Sequence, residues 1–366
     1  MNLQEVLAQR IRRQGPLTLA DYIVEVLTHP EFGYYMTRDP FGTPQHTGGD
    51  FITAPEISQI FGELVGLWCV DHWQRCGQPN PCYLIELGPG RGTLLADALR
   101  AAKLAPDFLA AVELHLVEVS PVLKRLQSKA LLEHSPRWHQ NLGEVPEGPA
   151  LIVANEFLDA LPVRQFEKST EGWCERLVTL DPETDALTLA LAPPSRATEH
   201  VIPNALRCAP EGSVVEVSSA AASTAAEIAR RVAEFGGGAL ILDYGAAEAK
   251  TGATLQALRQ HKRHDILEAP GTADLTAHVC FAEVRTAAET AGGQCHGPIA
   301  QGEFLMRLGI EARAAALFRH ASPLQAQSIQ SAVERLTSED QMGSLFKALA
   351  ITGPGDPLPA GFVSPA

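Results

Sequence analysis

The 366-residue sequence predicts an α/β protein with a doubly wound, mostly parallel sheet, and three observations carry that expectation. From Cys82 onward, apolar runs of strand length alternate with amphipathic runs of helix length, as they do when helices cover both faces of a parallel sheet. The first run ends in Glu86-Leu-Gly-Pro-Gly-Arg-Gly-Thr93, so a strand enters a helix through three glycines at alternate positions. One unit later a second strand ends on the acidic Glu118, and Ser120 and Pro121 supply the cap and first residue of the next helix.

Before this core, residues 3–26 read as two short helices broken at Gly15-Pro16. Residues 38–55 form a loop longer than compact domains usually carry, which points to a function. Asp50, Phe51 and Thr53 are its candidate substrate-binding residues, with Thr53 capping and Pro55 starting a helix that runs to about Cys76. In the core, strands are expected at 83–87, 112–118, 138–142 and 151–155, with helices from Thr93 and Pro121. Short alternating pieces at 173–180 and 186–191 indicate a β-rich insertion. A helix at 221–235 ended by Gly236-Gly-Gly238, a strand at 239–243 and a helix at 281–291 resume the sheet. The expected division is an N-terminal helical cap and substrate loop (1–80), the first half of the core (81–162), the insertion (163–217), the second half of the core (218–352) and an extended tail (353–366).

Glu86, Gly88, Gly90 and Gly92 make Glu-x-Gly-x-Gly-x-Gly. A dinucleotide fingerprint needs Gly-x-Gly-x-x-Gly, and Thr93 stands where its third glycine belongs. A pyrophosphate favours a bare helix N-terminus, whereas a carboxylate just before the loop suits a ligand with positive charge. S-adenosylmethionine, with its ammonium and sulfonium, is such a ligand. The candidate cofactor-binding residues are therefore Glu86, Gly88, Gly90, Gly92, Thr93 and Glu118, the last accepting hydrogen bonds from both ribose hydroxyls. A ligand-free glycine turn and a nicotinamide or flavin site remain as alternatives.

The fourth strand runs into Asn155-Glu-Phe-Leu-Asp159, where open α/β sheets hold their ligands. Asn155, Glu156 and Asp159 are the candidate catalytic residues. If this turn is helical, the two carboxylates share a face and can hold a planar guanidinium bidentately. The plainer alternative is a helix N-cap at Asn155. Asp243 ends a central strand, Asp274 and His278 are spaced for an acid/base pair, and His261-x-x-His264 reads as a solvated basic turn, so no metal site is expected.

A formal net charge of −14 argues against a sequence-independent grip on nucleic acid and is compatible with a cationic substrate. Seven cysteines without a Cys-x-x-Cys pair fit reduced thiols. The N-terminal run lacks secretory or import character and no run reaches the ~18 apolar residues of a membrane span, so a cytoplasmic location is expected. Oligomeric state is not legible.

Together with Gly33-Tyr-Tyr35, Asp50-Phe-Ile-Thr-Ala-Pro-Glu56, Phe61-Gly-Glu63, Pro270-Gly-Thr-Ala-Asp-Leu-Thr-Ala-His278 and Gln301-Gly-Glu-Phe-Leu-Met-Arg-Leu-Gly309, these motifs resemble the MidA-like class I methyltransferases. That family includes a mitochondrial complex I assembly factor that methylates an arginine. The resemblance implies a Rossmann-like class I methyltransferase sheet and methyl transfer from S-adenosylmethionine to a protein arginine. The catalytic subunit of respiratory complex I is the candidate target. Cys280 departs from it, standing where the family is expected to carry an acid. A non-catalytic assembly factor that keeps the cofactor site and a nucleotide-dependent oxidoreductase are the other functional readings.

Overall fold

The computed structural model describes residues 2–42 and 49–363. Its central sheet contains β1 (Cys82–Leu87), β2 (Val112–Val117), β3 (Arg137–His139), β4 (Ala150–Asn155), β5 (Gly237–Ala246), β6 (Gln294–Ala300) and β7 (Phe346–Thr352). Their spatial order is β3-β2-β1-β4-β5-β7-β6, with Val279–Cys280 added beside the end of β5. β1 to β5 are parallel, and β7 runs antiparallel to both its neighbours. Strand order reverses between β1 and β4, which opens a crevice at their carboxyl ends.

Alternation along the strands assigns the two faces. Leu84, Leu114, Leu116, Leu151, Val153, Leu240 and Leu242 meet the helices Gln59–Arg75 and Thr93–Ala101. Ile85, Val117, Ile152, Ile241 and Ile351 meet Ser219–Phe235 and Phe281–Thr290. Glu86 falls among the leucines of the first face, so the register of β1 buries it. The helix Gln59–Arg75 can sit close because Gly62 and Gly66 face Thr93–Ala101: a Cβ at Gly66 would stand 2.6 Å from the Ala98 Cα.

Two smaller sheets flank the core. Arg164–Ser169, Gly172–Leu180, Leu187–Leu191 and Val214–Val217 form one, joined by Leu17–Thr18 from the N-terminus. Gln256–Arg259, Lys262–His264 and Asp274–Thr276 form the other. Ala257 and Leu275 of this second sheet pack with Leu3, Leu7 and Tyr22, so a segment assigned from sequence to the core belongs instead with the N-terminal helices Leu3–Gln14 and Leu19–Thr28.

Two local readings are corrected, and a helix left open after β4 does not form. The helix expected from Pro55 to about Cys76 is two helices, Ala54–Ile57 and Gln59–Arg75. Ser58 caps the second by accepting from the Ile60 N–H, while Thr53 makes no capping bond. Gly236 ends its helix as read, but Gly237 and Gly238 open β5. A Cβ at Gly238 would lie 2.4 Å from His72 Nε2, so close packing, not helix termination, requires glycine there. After β4 the chain makes an irregular turn. The helix that would have placed Glu156 and Asp159 on one face, and that Asn155 would have capped, is absent from these described residues.

Candidate active site

The glycine loop leaves β1 with Gly88 at φ 63° and Gly90 at φ 53°, left-handed conformations that a side chain strains. Both glycines line a cavity of about 530 Å³ at the carboxyl ends of the parallel strands. Phe157 lies 2.7 Å from where a Cβ of Gly88 would stand, and Phe41 lies 2.9 Å from that of Gly90. Gly92 instead caps Thr93–Ala101. Thr93 is not in the cavity wall, and its hydroxyl donates to Glu56 at 2.6 Å. Glu86 sits behind the loop, 3% exposed, with Oε2 lacking a partner among the described residues. Burial, then the charge of Glu118, pushes its carboxyl up to about 8.

Glu118 does line the cavity. One oxygen accepts from the Ser120 N–H at 2.7 Å and the other from Gln127 Nε2 at 3.0 Å. Gln127 was not singled out in the sequence, where it is one polar residue of an amphipathic helix. The fold buries it completely, and it also donates to the Gly90 carbonyl at 2.7 Å and accepts from Trp138 Nε1 at 2.8 Å. One amide thus fixes the glycine loop, the acidic end of β2 and β3 relative to one another.

At the end of β4, Glu156 adopts φ 47°, a backbone strain that for a non-glycine residue costs about 1–3 kcal/mol and concentrates at functional sites. Its N–H donates to the Leu242 carbonyl at 2.8 Å, and its Oε1 accepts from the Ala54 N–H at 2.8 Å and from Asn155 Nδ2 at 3.3 Å. Asn155 therefore orients Glu156 and does not itself line the cavity. The turn is held by Asp243, whose Oδ2 accepts from the N–H groups of Phe157, Leu158 and Asp159 at 2.8–3.2 Å. Burial and the charges of Asp159 and Glu156 raise the Asp243 carboxyl, and the amides oppose that shift.

Asp159 lines the cavity, 7% exposed, and its Oδ1 has no partner among the described residues. Facing it from the small three-stranded sheet are Asp274 and Thr276, with Gln256 and Leu258 on the paired strand. Tyr35 donates to Asp274 Oδ1 at 2.7 Å and lines the same wall. Burial above all holds Glu156 up at about 8 and Asp159 and Asp274 at about 7. His278 is not the partner of Asp274. That aspartate lies in a strand, and His278 lines two smaller cavities with Cys280 and Glu283, so the Cys280 departure does not touch the main cavity.

Phe51 and Thr53 of the long loop line the cavity, but Asp50 does not. Its carboxylate accepts from the Tyr34 hydroxyl at 2.7 Å and from the Gln260 N–H at 2.6 Å, tying the loop to the three-stranded sheet. Residues 43–48 of this loop lie outside the described residues. Phe41 closes the cavity over Gly90, and Arg91 fastens it through the Phe41 carbonyl and Asp39, with Nε–oxygen distances of 3.0 and 3.1 Å to the aspartate. Arg91, between Gly90 and Gly92, was given no role from the sequence, yet it anchors the cover.

Among the described residues the wall thus carries Glu118, Glu156, Asp159 and Asp274 and no Lys, Arg or His. Burying carboxylates without cations is costly, and a ligand bringing positive charge removes that cost. The orphaned oxygen of Glu86, the bare glycines and this acidic wall all fit S-adenosylmethionine. Among the described residues no cluster of His, Cys, Asp or Glu is arranged to hold a metal ion, and His264 of the basic turn bonds to the Glu268 carbonyl.

Comparisons with known proteins agree. Residues 64–299 match the family model described as "Putative S-adenosyl-L-methionine-dependent methyltransferase". A Drosophila melanogaster protein named protein arginine methyltransferase NDUFAF7 homolog, mitochondrial, is 41% identical, covering 96% of this chain and 84% of its own. The Homo sapiens protein arginine methyltransferase NDUFAF7, mitochondrial, is 38% identical over 94% and 82%. A crystal structure from Burkholderia thailandensis with S-adenosyl-homocysteine bound superposes with a TM-score of 0.83 at 31% identity, covering 98% of this chain and 93% of that one. The mitochondrial names overturn the cytoplasmic location expected from the sequence, which rested on the character of the N-terminal residues and the want of a membrane-span run. No helix of the described residues is long and apolar enough to cross a membrane. With a class I α/β sheet, a glycine loop at its switch point and relatives matched over nearly its whole length, the chain belongs to the MidA-like family of S-adenosyl-L-methionine-dependent methyltransferases.

Proposed function

We propose that this chain methylates an arginine guanidino nitrogen of a protein, with Asp159 and Asp274 receiving the guanidinium and Glu156 beside them. The observation that carries this reading is the buried Oδ1 of Asp159, which has no hydrogen-bond partner among the described residues, in a cavity wall whose described residues include four carboxylates and no cation. Relatives named protein arginine methyltransferases support it. Gly88, Gly90 and Glu118 would hold the nucleoside, with Glu86 adding negative charge behind the loop. Bound S-adenosylmethionine supplies a methyl group activated by its sulfonium. The residues orient the acceptor, exclude water and take the proton that the nitrogen sheds as it gains the methyl. The catalytic subunit of respiratory complex I is the first acceptor to test, by mass spectrometry of the recombinant subunit incubated with enzyme and S-adenosylmethionine. Absence of a mass gain on arginine in any candidate would overturn the reading.

Two expected results follow from the same carboxylates. Glu118→Ala should weaken S-adenosylmethionine by about tenfold to a hundredfold, the value of hydrogen bonds to a charged group. Calorimetry that finds an unchanged Kd would remove Glu118 from the site. The guanidinium stays protonated throughout the accessible range, so pH acts on the acids. Because Asp159 and Asp274 hold their protons up to about 7 and Glu156 to about 8, transfer should rise with pH between 6 and 8 and level off above. The stability of the ligand-free protein should move oppositely. Each acid binds its proton more tightly folded than unfolded, so its contribution is complete below the unfolded value near 4 and is lost as pH rises through 7 to 8. Thermal melts and initial rates across that window check both signs.

A further inference from the structure

We propose that the hairpin tip at residues 259–264 is a docking surface for an acidic segment of the acceptor protein, close in sequence to its methylated arginine. This rests on the arginine reading above. In a chain of net charge −14, Arg259, Lys262 and Arg263 lie exposed within five residues, and none pairs with a carboxylate among the described residues. His261 lies between them.

The hairpin is continuous with the cavity. Leu258 and Gln256 line its wall, and Leu258 stands directly opposite Arg263 in the antiparallel ladder. Directly opposed residues project to the same face about 5 Å apart, so Arg263 marks the rim on the side where Asp274 waits. Arg259 and Lys262, paired with each other, fall on the other face of the ladder. At about 3.3 Å per extended residue, a chain that inserts its arginine between Asp159 and Asp274 passes Arg263 within roughly two to four residues.

The tip is also held in place. Asp50 accepts from the Gln260 N–H at 2.6 Å through its carboxylate and from the His261 N–H at 3.0 Å through its carbonyl. These bonds maintain left-handed backbone at Gln260 (φ 51°) and His261 (φ 60°), which an unanchored turn without glycine would relax. A fixed cation at a cavity mouth confers specificity on a neighbouring anionic segment.

The test uses fluorescein-labelled peptides with a central arginine flanked, two to four residues away, by glutamates or by glutamines. Anisotropy is measured on the full chain saturated with S-adenosylhomocysteine, so that docking is read without transfer. The wild type should bind the glutamate peptide at least tenfold more tightly at low salt, with the advantage shrinking as salt rises. Arg263→Glu should abolish the preference, Arg263→Lys should keep most of it, and S-adenosylhomocysteine affinity should be unchanged in both. Equal binding of the two peptides by the wild type, an undiminished preference in Arg263→Glu, or tighter binding of a single-stranded oligonucleotide would overturn the proposal. A glutamate preference that depends on Arg263, without methylation of the bound peptide, would uphold the docking surface and count against the arginine reading.

Discussion

Gly90→Val is expected to abolish S-adenosylmethionine binding in calorimetry, a loss of more than about a hundredfold, while the protein remains folded. The added Cβ would stand 2.9 Å from Phe41 Cζ, and the residue would have to keep φ 53°. A left-handed backbone costs an L-residue about 1–2 kcal/mol, and a β-branched side chain adds to it. Such strain is small beside the roughly 5–15 kcal/mol that holds a typical domain together, so it should be relieved locally. The available relief is outward motion of Phe41 and of the Asp39 and Arg91 contacts that pin it, which opens the cover and leaves valine in the nucleoside's space. The double variant Gly90→Val, Phe41→Ala removes the clash with the loop but not the intruding side chain, so its binding should also be lost. A folded Gly90→Val protein with undiminished affinity would sink the assignment of the glycine loop.

What the sequence reveals about this fold depends on how local the controlling interaction is. β1, β2, β4 and β5 were readable because a strand buried on both faces is a continuous apolar run. The caps at Ser120 and Gly236 were readable because capping involves neighbours in the chain. β7 was not read, although Ala348, Leu349, Ala350 and Ile351 are wholly buried. A short apolar run that follows several helices is indistinguishable from a helix segment until its partners β5 and β6 are known. Whether the turn after β4 is helical stayed open in the sequence for a similar reason. The turn is held by Asp243, more than eighty residues away in the chain, whose carboxylate gathers three successive N–H groups.

The site shows the same division. Gly88, Gly90, Glu118, Glu156 and Asp159 could be picked out because each lies at the end of a strand whose direction the sequence predicts. Asp274, Tyr35 and Gln127 could not be given roles on that basis. Their places depend on a separate sheet and an N-terminal cap folding over the crevice. Asp50 had the right loop and the wrong task. Conspicuous among glycines and prolines, it was read as touching the substrate, but its carboxylate is consumed by Tyr34 and Gln260. It acts on the cavity by fixing the cover to the hairpin.

Asp159→Asn is expected to lower methyl transfer by at least the ~10²-fold typical of losing one electrostatic catalytic group, with little change in S-adenosylmethionine affinity. The substitution is nearly isosteric, Asp159 Oδ1 lacks a partner among the described residues, and an amide oxygen can still accept from the Tyr244 hydroxyl, so the melting temperature should not fall. What disappears is negative charge facing Asp274 at the place proposed for the guanidinium. Part of the pH dependence should change with it: Asp159 no longer titrates, and the carboxyls of Asp274 and Glu156, which its charge helps to raise, should titrate lower. Glu156→Gln supplies the comparison. Its amide oxygen can still accept from the Ala54 N–H, so the strained turn should persist, and any loss of rate reports charge alone. If rate and pH profile survive in Asp159→Asn but collapse in Glu156→Gln, the acceptor sits against Glu156 and the assignment to Asp159 and Asp274 is wrong. If both variants transfer methyl as fast as the wild type, the acidic wall serves the cofactor's positive charge and the acceptor is not held by these carboxylates.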